Sequence, residues 1–125
     1  MPVKVIDASA LAAILFGEPE TEEVASRIRS FTLASPALLP FEIASVCLRK
    51  MPQHPTQRPS LLAAHKLLGR MDITQTEVDL DEVILLAERK KLTVYDATYL
   101  WLAQKLRAEL VTLDKTLANA AAKAP

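Results

Sequence analysis

VKVIDASALAAILFG, the stretch from Val3 to Gly17, decides the fold. Val3 to Ile6 is a β-branched run interrupted only by Lys4, which predicts a short strand. Asp7 ends that strand. Ala8 to Phe16 then predicts a helix, with Gly17 as its stop. A strand passed straight to a helix through one acid is the first unit of an alternating β/α chain.

The remaining sequence repeats the alternation. Pro19 opens a second helix, in which Val24, Ile28 and Phe31 recur at helical spacing among charged residues. Thr32 to Ala34 suits a second short strand. Ser35-Pro36 has the form of a cap followed by proline at the first helical position, so a helix is expected from there to about Met51, with Pro40 tolerated near its start. Met51 to Pro59 (MPQHPTQRP) is expected to be a loop, too short to link two domains. Leu61 to Leu68 predicts a helix stopped at Gly69, and Ile73 to Thr76 a strand. Leu80, Val83, Ile84 and Ala87 mark one face of the next helix, which ends in Arg89-Lys90-Lys91. Tyr95 to Leu106 predicts a helix, Leu110 to Leu113 a strand, and Lys115 to Ala122 an alanine-rich final helix. Strands alternating with helices point to a three-layer α/β sandwich with a mainly parallel central sheet.

Composition narrows the class. At 125 residues the chain is expected to form one domain spanning 1–125, and 50% hydrophobic residues suffice for a core without disulfide or metal staples. With 15 basic and 15 acidic side chains, the whole chain makes no electrostatic case for nucleic acid, although a local patch still could. The one cysteine, Cys47, sits in an apolar run and is expected to be a buried, inert thiol. Lys4 and Asp7 break the apolar start, so no signal peptide is expected. No segment reaches the roughly 20 apolar residues of a membrane span. A cytoplasmic protein without membrane attachment is the expectation.

Four carboxylates stand out: Asp7, Glu42, Asp96 and Asp114. Each lies among mostly apolar or small residues, where a lone charge is expensive to bury. Asp7, Asp96 and Asp114 each suit a helix N-cap, which is the plainer role for each alone. Yet Asp7 and Asp114 also follow strands, and ligands of open α/β sheets bind at the carboxyl ends of strands. Asp96, at a helix start, could open onto the same crevice. Glu42 sits inside a helix with Ser45 and Arg49 at i+3 and i+7, which alone could be a solvated stripe. Brought together, the four acids would repel one another unless protons or a cation intervened. An all-oxygen set suits Mg²⁺ or Mn²⁺ better than zinc. Such ions activate water and neutralise charge on a phosphoryl oxygen, and two of them about 4 Å apart can clamp a phosphodiester displacement.

Four local sequences carry a likeness to a known family. They are Val5-Ile6-Asp7-Ala8-Ser9-Ala10, Pro36-Ala37-Leu38-Leu39-Pro40-Phe41-Glu42-Ile43, Tyr95-Asp96-Ala97-Thr98-Tyr99-Leu100-Trp101-Leu102-Ala103, and Leu110-Val111-Thr112-Leu113-Asp114. With these motifs in this order, the chain resembles PIN-domain ribonucleases of the VapC type, the toxins of toxin–antitoxin pairs. The resemblance implies a parallel sheet between helices and an acidic quartet, Asp7, Glu42, Asp96 and Asp114, binding Mg²⁺ or Mn²⁺. It implies RNA cleaved by metal-activated water, a homodimer, and a cognate antitoxin that blocks the acids, often with a basic side chain. Ser9 matches a hydroxyl near the metal and Thr112 the hydroxyl before the last acid. Relatives often carry glycine in the turn before Tyr95, where this chain has Lys90-Lys91-Leu92.

Other features have plainer readings beside functional ones. Arg49, Lys50, Arg58, Lys66 and Arg70 could track RNA phosphates or be ordinary solvated charge. Arg89-Lys90-Lys91 suits a helix C-terminus. His54 and His65 lack metal-ligand spacing. Tyr99 and Trp101 suit core or dimer packing more than base stacking. Two further function classes remain to be weighed. One is a non-catalytic PIN-like module that acts by binding a protein. The other is phosphotransfer on aspartate, which would want an acid two residues after Asp7, where Ser9 stands, or an N-terminal acidic pair with a mid-chain acid.

Overall fold

The computed structural model describes residues 2–123. The helices and strands run β1 (Val3–Ile6), α1 (Ala8–Leu15), α2 (Thr21–Ile28), β2 (Thr32–Pro36), α3 (Leu39–Gln53), α4 (Arg58–Lys66), β3 (Ile73–Thr76), α5 (Leu80–Lys90), α6 (Val94–Leu106), β4 (Glu109–Val111) and α7 (Lys115–Ala122). Short 3-10 turns at Pro55–Gln57 and Leu67–Arg70 flank α4.

The four strands form one all-parallel sheet in the order β3-β2-β1-β4. The chain winds outward from β1 through β2 to β3, then returns to the other side of β1 with β4. Parallel crossovers are right-handed, so reversing the winding direction sends the later helices to the opposite face. The contacts agree: α1 packs on α2 and α3, while α6 packs on α5, α7 and the strands β1, β2 and β4. The result is the expected α/β sandwich, a sheet between two helical layers.

The core lies around β1 and its neighbours. Val5, Ile6, Leu11, Leu39, Ile43, Leu102, Val111 and Leu117 are fully or almost fully buried. Lys4, the one break in the β1 run, is also buried. Its ammonium donates to the carbonyl of Arg27, pairs with Glu109 at 3.2 Å and sits 3.8 Å above the Phe31 ring. Cys47 is buried, and its Sγ reaches the Leu61 carbonyl at 3.6 Å, packing α3 on α4.

Several elements differ from the sequence expectation. Ser35-Pro36 ends a strand rather than starting a helix, because both residues pair with Gln75 and Thr76 of β3. The helix begins at Leu39 with Pro40 in its first turn. Met51 to Pro59 is mostly helical: Pro52 sits in the last turn of α3, and Pro55 and Pro59 occupy first-turn positions of the next helical segments. At such positions a missing N–H costs little. The second helix starts at Thr21, two residues past Pro19. Gly69 lies inside a 3-10 turn, not at a helix stop. On α5, Val83, Leu86 and Ala87 are buried, but Leu80, Ile84 and Leu85 are exposed. The apolar repeat there therefore has only part of its set in the core.

Candidate active site

β1 and β4 are neighbours, and the winding direction reverses between them. A crevice opens at the carboxyl ends of strands at such a reversal. Asp7 directly follows β1, and Asp114 lies three residues after β4. The Asp7 N–H donates to the Val111 carbonyl at 3.2 Å, carrying the ladder one step further and fixing the acid at the strand mouth. A cavity of about 350 Å³ at this mouth is lined by Asp7, Glu42, Asp96 and Asp114 together with Ser9, Arg49 and Tyr99. All four sequence-selected acids thus face one space, as do Ser9 and Arg49.

Asp7 is both a helix cap and a cavity wall. It is buried, and its Oδ1 accepts from the Ala10 N–H at 3.0 Å and the Ser9 hydroxyl at 2.7 Å. Its Oδ2 accepts from the Thr112 hydroxyl. Burial raises its pKa, since the charged form loses water; the three hydrogen bonds oppose that shift, and the charge of Asp114 adds to it. Asp114 caps α7, accepting from the Leu117 N–H at 2.9 Å. Asp96 is not a cap. Thr93 caps α6 by accepting the Asp96 N–H at 3.1 Å, which leaves the Asp96 carboxylate for the cavity. Its pKa is raised by burial, then by Asp114 and Asp7. Glu42 projects from the first turn of α3. Burial raises its pKa, a hydrogen bond from Tyr99 lowers it, and Asp7 and Asp96 raise it further.

Thr112, the hydroxyl before the last acid, bridges Asp7 and Asp114. It is buried and absent from the cavity wall, donating to Asp7 while accepting the Asp114 N–H at 3.0 Å. It therefore ties two acids together. Ser9 does similar work, since its hydroxyl also accepts the Leu113 N–H at 2.9 Å. Tyr99, on an apolar helix that suggests packing alone, has a further role. It is buried, yet its hydroxyl donates to Glu42 Oε1 at 2.6 Å. The signal in the sequence is its position three residues after Asp96, on the same face of α6.

The other basic residues and the histidines lie elsewhere. Lys50 pairs with Glu18 at 2.9 Å, and Lys66 and His65 line a larger apolar cavity of about 680 Å³ by α3 and β3. His54 caps α3. Trp101 packs beside Val83, Ala87 and Ala97 and donates to Glu82 at 2.9 Å, a structural placement.

Among the described residues, no three carboxylate, imidazole or thiol groups close on one point as a ready-made coordination sphere. The four acids instead line the wall of one cavity. The donor chemistry fits a hard divalent cation, because every acid offers oxygen and none of the cavity residues offers sulfur or imidazole.

The PIN domain family model matches residues 4–123, and the chain belongs to the PIN domain family. PIN domains are typically nucleases and generally use divalent metal ions. Among solved structures, the chain is similar to PAE2754 from Pyrobaculum aerophilum. The TM-score is 0.76 at 25% identity, over 100% of this chain and 91% of that one. No curated protein matches the chain. Among the described residues no helix is long and apolar enough to cross a membrane.

Proposed function

We propose that this chain is a Mg²⁺- or Mn²⁺-dependent endoribonuclease, the VapC-type toxin of a toxin–antitoxin pair. The meeting of Asp7, Glu42, Asp96 and Asp114 in one cavity with Arg49 carries this reading. When bound, a divalent cation would lower the pKa of water and neutralise charge on a phosphoryl oxygen. The four acids would hold it. Asp7 is preset for that task by Ser9, Thr112 and the Ala10 N–H, which fix its carboxylate before any ligand arrives. Tyr99 orients Glu42 in the same way. Arg49 presents a permanent cation to the non-bridging oxygens of a phosphodiester, a group that the acids alone would repel.

Supporting the toxin reading are the four motifs shared with VapC-type proteins. An acidic cavity of this kind also suits a basic side chain from a cognate antitoxin. In the homodimer implied by the resemblance, the exposed Leu80, Ile84 and Leu85 of α5 offer apolar surface to a second copy. Action on cellular RNA implies a cytoplasmic protein.

The test is cleavage of a mixed RNA pool by antitoxin-free protein in Mg²⁺, Mn²⁺ or EDTA, beside Asp7→Asn and Asp96→Asn. Metal-dependent cleavage lost in both variants is expected, together with lost growth arrest. Intact cleavage in both variants would refute the mechanism. Absent Mn²⁺ binding with stable capture of one protein partner would favour the non-catalytic binding module.

A further inference from the structure

A second cavity, of about 520 Å³, lies between the end of α5 and α7. Arg89, Lys90, Lys91 and Lys123 line it with Leu92 and Thr116, and no acidic side chain of the described residues does. Arg89, Lys91 and Lys123 make no ion pair with any described residue. Helix dipoles account for cations at the end of α5 and at the end of α7 separately. They do not account for Arg89, Lys91 and Lys123 facing one space that no acidic side chain of the described residues lines.

This basic cavity adjoins the acidic one through two segments of chain. Leu92 lines the first and Asp96, four residues on, lines the second. Thr116 lines the first and Asp114, two residues back, lines the second. Two residues of helix rise about 3 Å, and the nine from Asp114 to Lys123 about 13 Å. The cavity therefore begins near the acids at Leu92 and Thr116 and runs along α7 away from them to Lys123. The formal net charge of the chain is zero, so attraction for a polyanion has to come from local separations of sign such as this one. The acids would hold the cation at the reacting phosphate, and the basic cavity suits the phosphates next along the same strand.

We infer that the cavity lined by Arg89, Lys91 and Lys123 binds the phosphodiester backbone of single-stranded RNA leading from the acidic site. This rests on the ribonuclease reading and adds the path of the strand. Backbone binding of this kind is independent of base sequence and depends on salt through counterion release.

The experiment is fluorescence anisotropy of a short, labelled single-stranded RNA of mixed sequence on the full chain, with Ca²⁺ in place of Mg²⁺, across a salt series. Wild type is compared with Arg89→Gln/Lys91→Gln/Lys123→Gln, and with the charge-keeping Arg89→Lys/Lys91→Arg/Lys123→Arg. A charge-matched control is Arg58→Gln/Lys66→Gln/Arg70→Gln. The glutamine variant is expected to bind about ten- to a hundredfold more weakly at ~0.1 M salt, with the slope of log affinity against log salt reduced by about 2, roughly 0.7 for each phosphate no longer neutralised. The charge-keeping variant should bind like wild type, and the control should change little. Wild-type binding with an unchanged slope and affinity in the glutamine variant would overturn the inference and leave the ribonuclease reading standing. A larger loss in the control than in the glutamine variant would also overturn it. Failure of wild type to bind any single-stranded RNA would overturn both.

Discussion

The Tyr99 hydroxyl donates to Oε1 of Glu42 at 2.6 Å across 57 positions of sequence, joining α6 to α3 inside the acidic cavity. Burial and the neighbouring Glu42 keep the phenol protonated far above its ordinary pKa, so it acts as a donor throughout the working pH range. Removing this hydroxyl with Tyr99→Phe keeps the ring and its packing but frees the Glu42 carboxylate to turn. Mn²⁺ affinity should fall about 10-fold, the lower end for loss of a group that orients a metal ligand. Folding stability should fall by about 1 kcal/mol, the scale of one hydrogen bond. Calorimetric Mn²⁺ titration separates the two effects; unchanged affinity with reduced stability would make Tyr99 a packing residue only.

Asp7→Asn should divide function from stability. The buried carboxylate is unfavourable without a cation, since burial pushes its pKa upward against three hydrogen bonds. An amide lacks that charge and still accepts from the Ala10 N–H. In EDTA the variant should therefore be as stable as wild type or more so, by up to about 1 kcal/mol, the familiar trade between a strained site and stability. In Mn²⁺ the order should reverse, because only wild type gains binding energy from the ion. Thermal melts in EDTA and in Mn²⁺ check this; a variant less stable in both would show Asp7 to be chiefly a helix cap.

The pH dependence of the metal-free protein follows from the same charges. Asp7, Glu42 and Asp96 all have folded pKa values raised above their unfolded ones, which lie at roughly 4. Between the unfolded and folded values the native state binds more protons, so stability falls as pH rises through that window. Below the unfolded values the penalty disappears. Glu109 runs the other way: Arg27, then Lys4, lower its pKa, so its contribution is lost as pH falls, though its exposure keeps that contribution small. Bound Mn²⁺ favours the charged acids and should reverse the slope from the cavity. Melting curves in EDTA from about pH 4 to 7 should show the fall in wild type and a shallower one in Asp7→Asn. Identical slopes would mean that Asp7 does not share in it.

Thr112→Val removes a hydroxyl with two partners while keeping the shape. Thr112 donates to Asp7 and accepts from the Asp114 N–H, so the valine leaves a buried carboxylate oxygen and a backbone N–H without it. The expected loss is about 1–3 kcal/mol in stability, with weaker Mn²⁺ binding as well, because neither acid then has the hydroxyl that orients it. Denaturant unfolding with and without Mn²⁺ measures both.

How much of this is legible in the chain depends on the range of the interaction. The four strands and most of the helix starts fall within two residues of expectation, because β-branched runs and apolar periodicity are local signals. Ser35-Pro36 misleads because the same dipeptide serves a helix start and a strand end; only the pairing with β3 decides between them. The prolines from Pro52 to Pro59 suggest a loop, but Pro55 and Pro59 fall in first turns, where a missing N–H costs little, and the packed helix α3 carries Pro52 inside its last turn. The acids are visible as charges in apolar settings. The role of Tyr99 is only half visible. Its place three residues after Asp96 puts it on the face of that acid, but its partner Glu42 lies on another helix, and only the packing of α6 on the rest of the chain brings the two together. The basic cavity is half visible: Arg89-Lys90-Lys91 stands out, but Lys123 joins it only through the packing of α7 near the end of α5.

Lys91 allows the charge and the backbone of that cavity to be tested apart. It ends α5 in the left-handed region, at φ 57° and ψ 43°, a conformation that costs a residue with a side chain about 1–2 kcal/mol and glycine almost nothing. Lys91→Gly relieves that cost but gives the unfolded chain more freedom, an opposing effect of roughly 0.5–1 kcal/mol. The variant should therefore melt at the same temperature as wild type or slightly higher. It also removes one cation from the cavity, so RNA binding should weaken several-fold and the salt slope fall by about 0.7, the share of one single-strand phosphate. A protein that is equally stable and binds RNA less well would assign the lysine to the ligand. A marked loss of stability would instead assign its side chain to holding the turn before α6, and with it the position of Asp96.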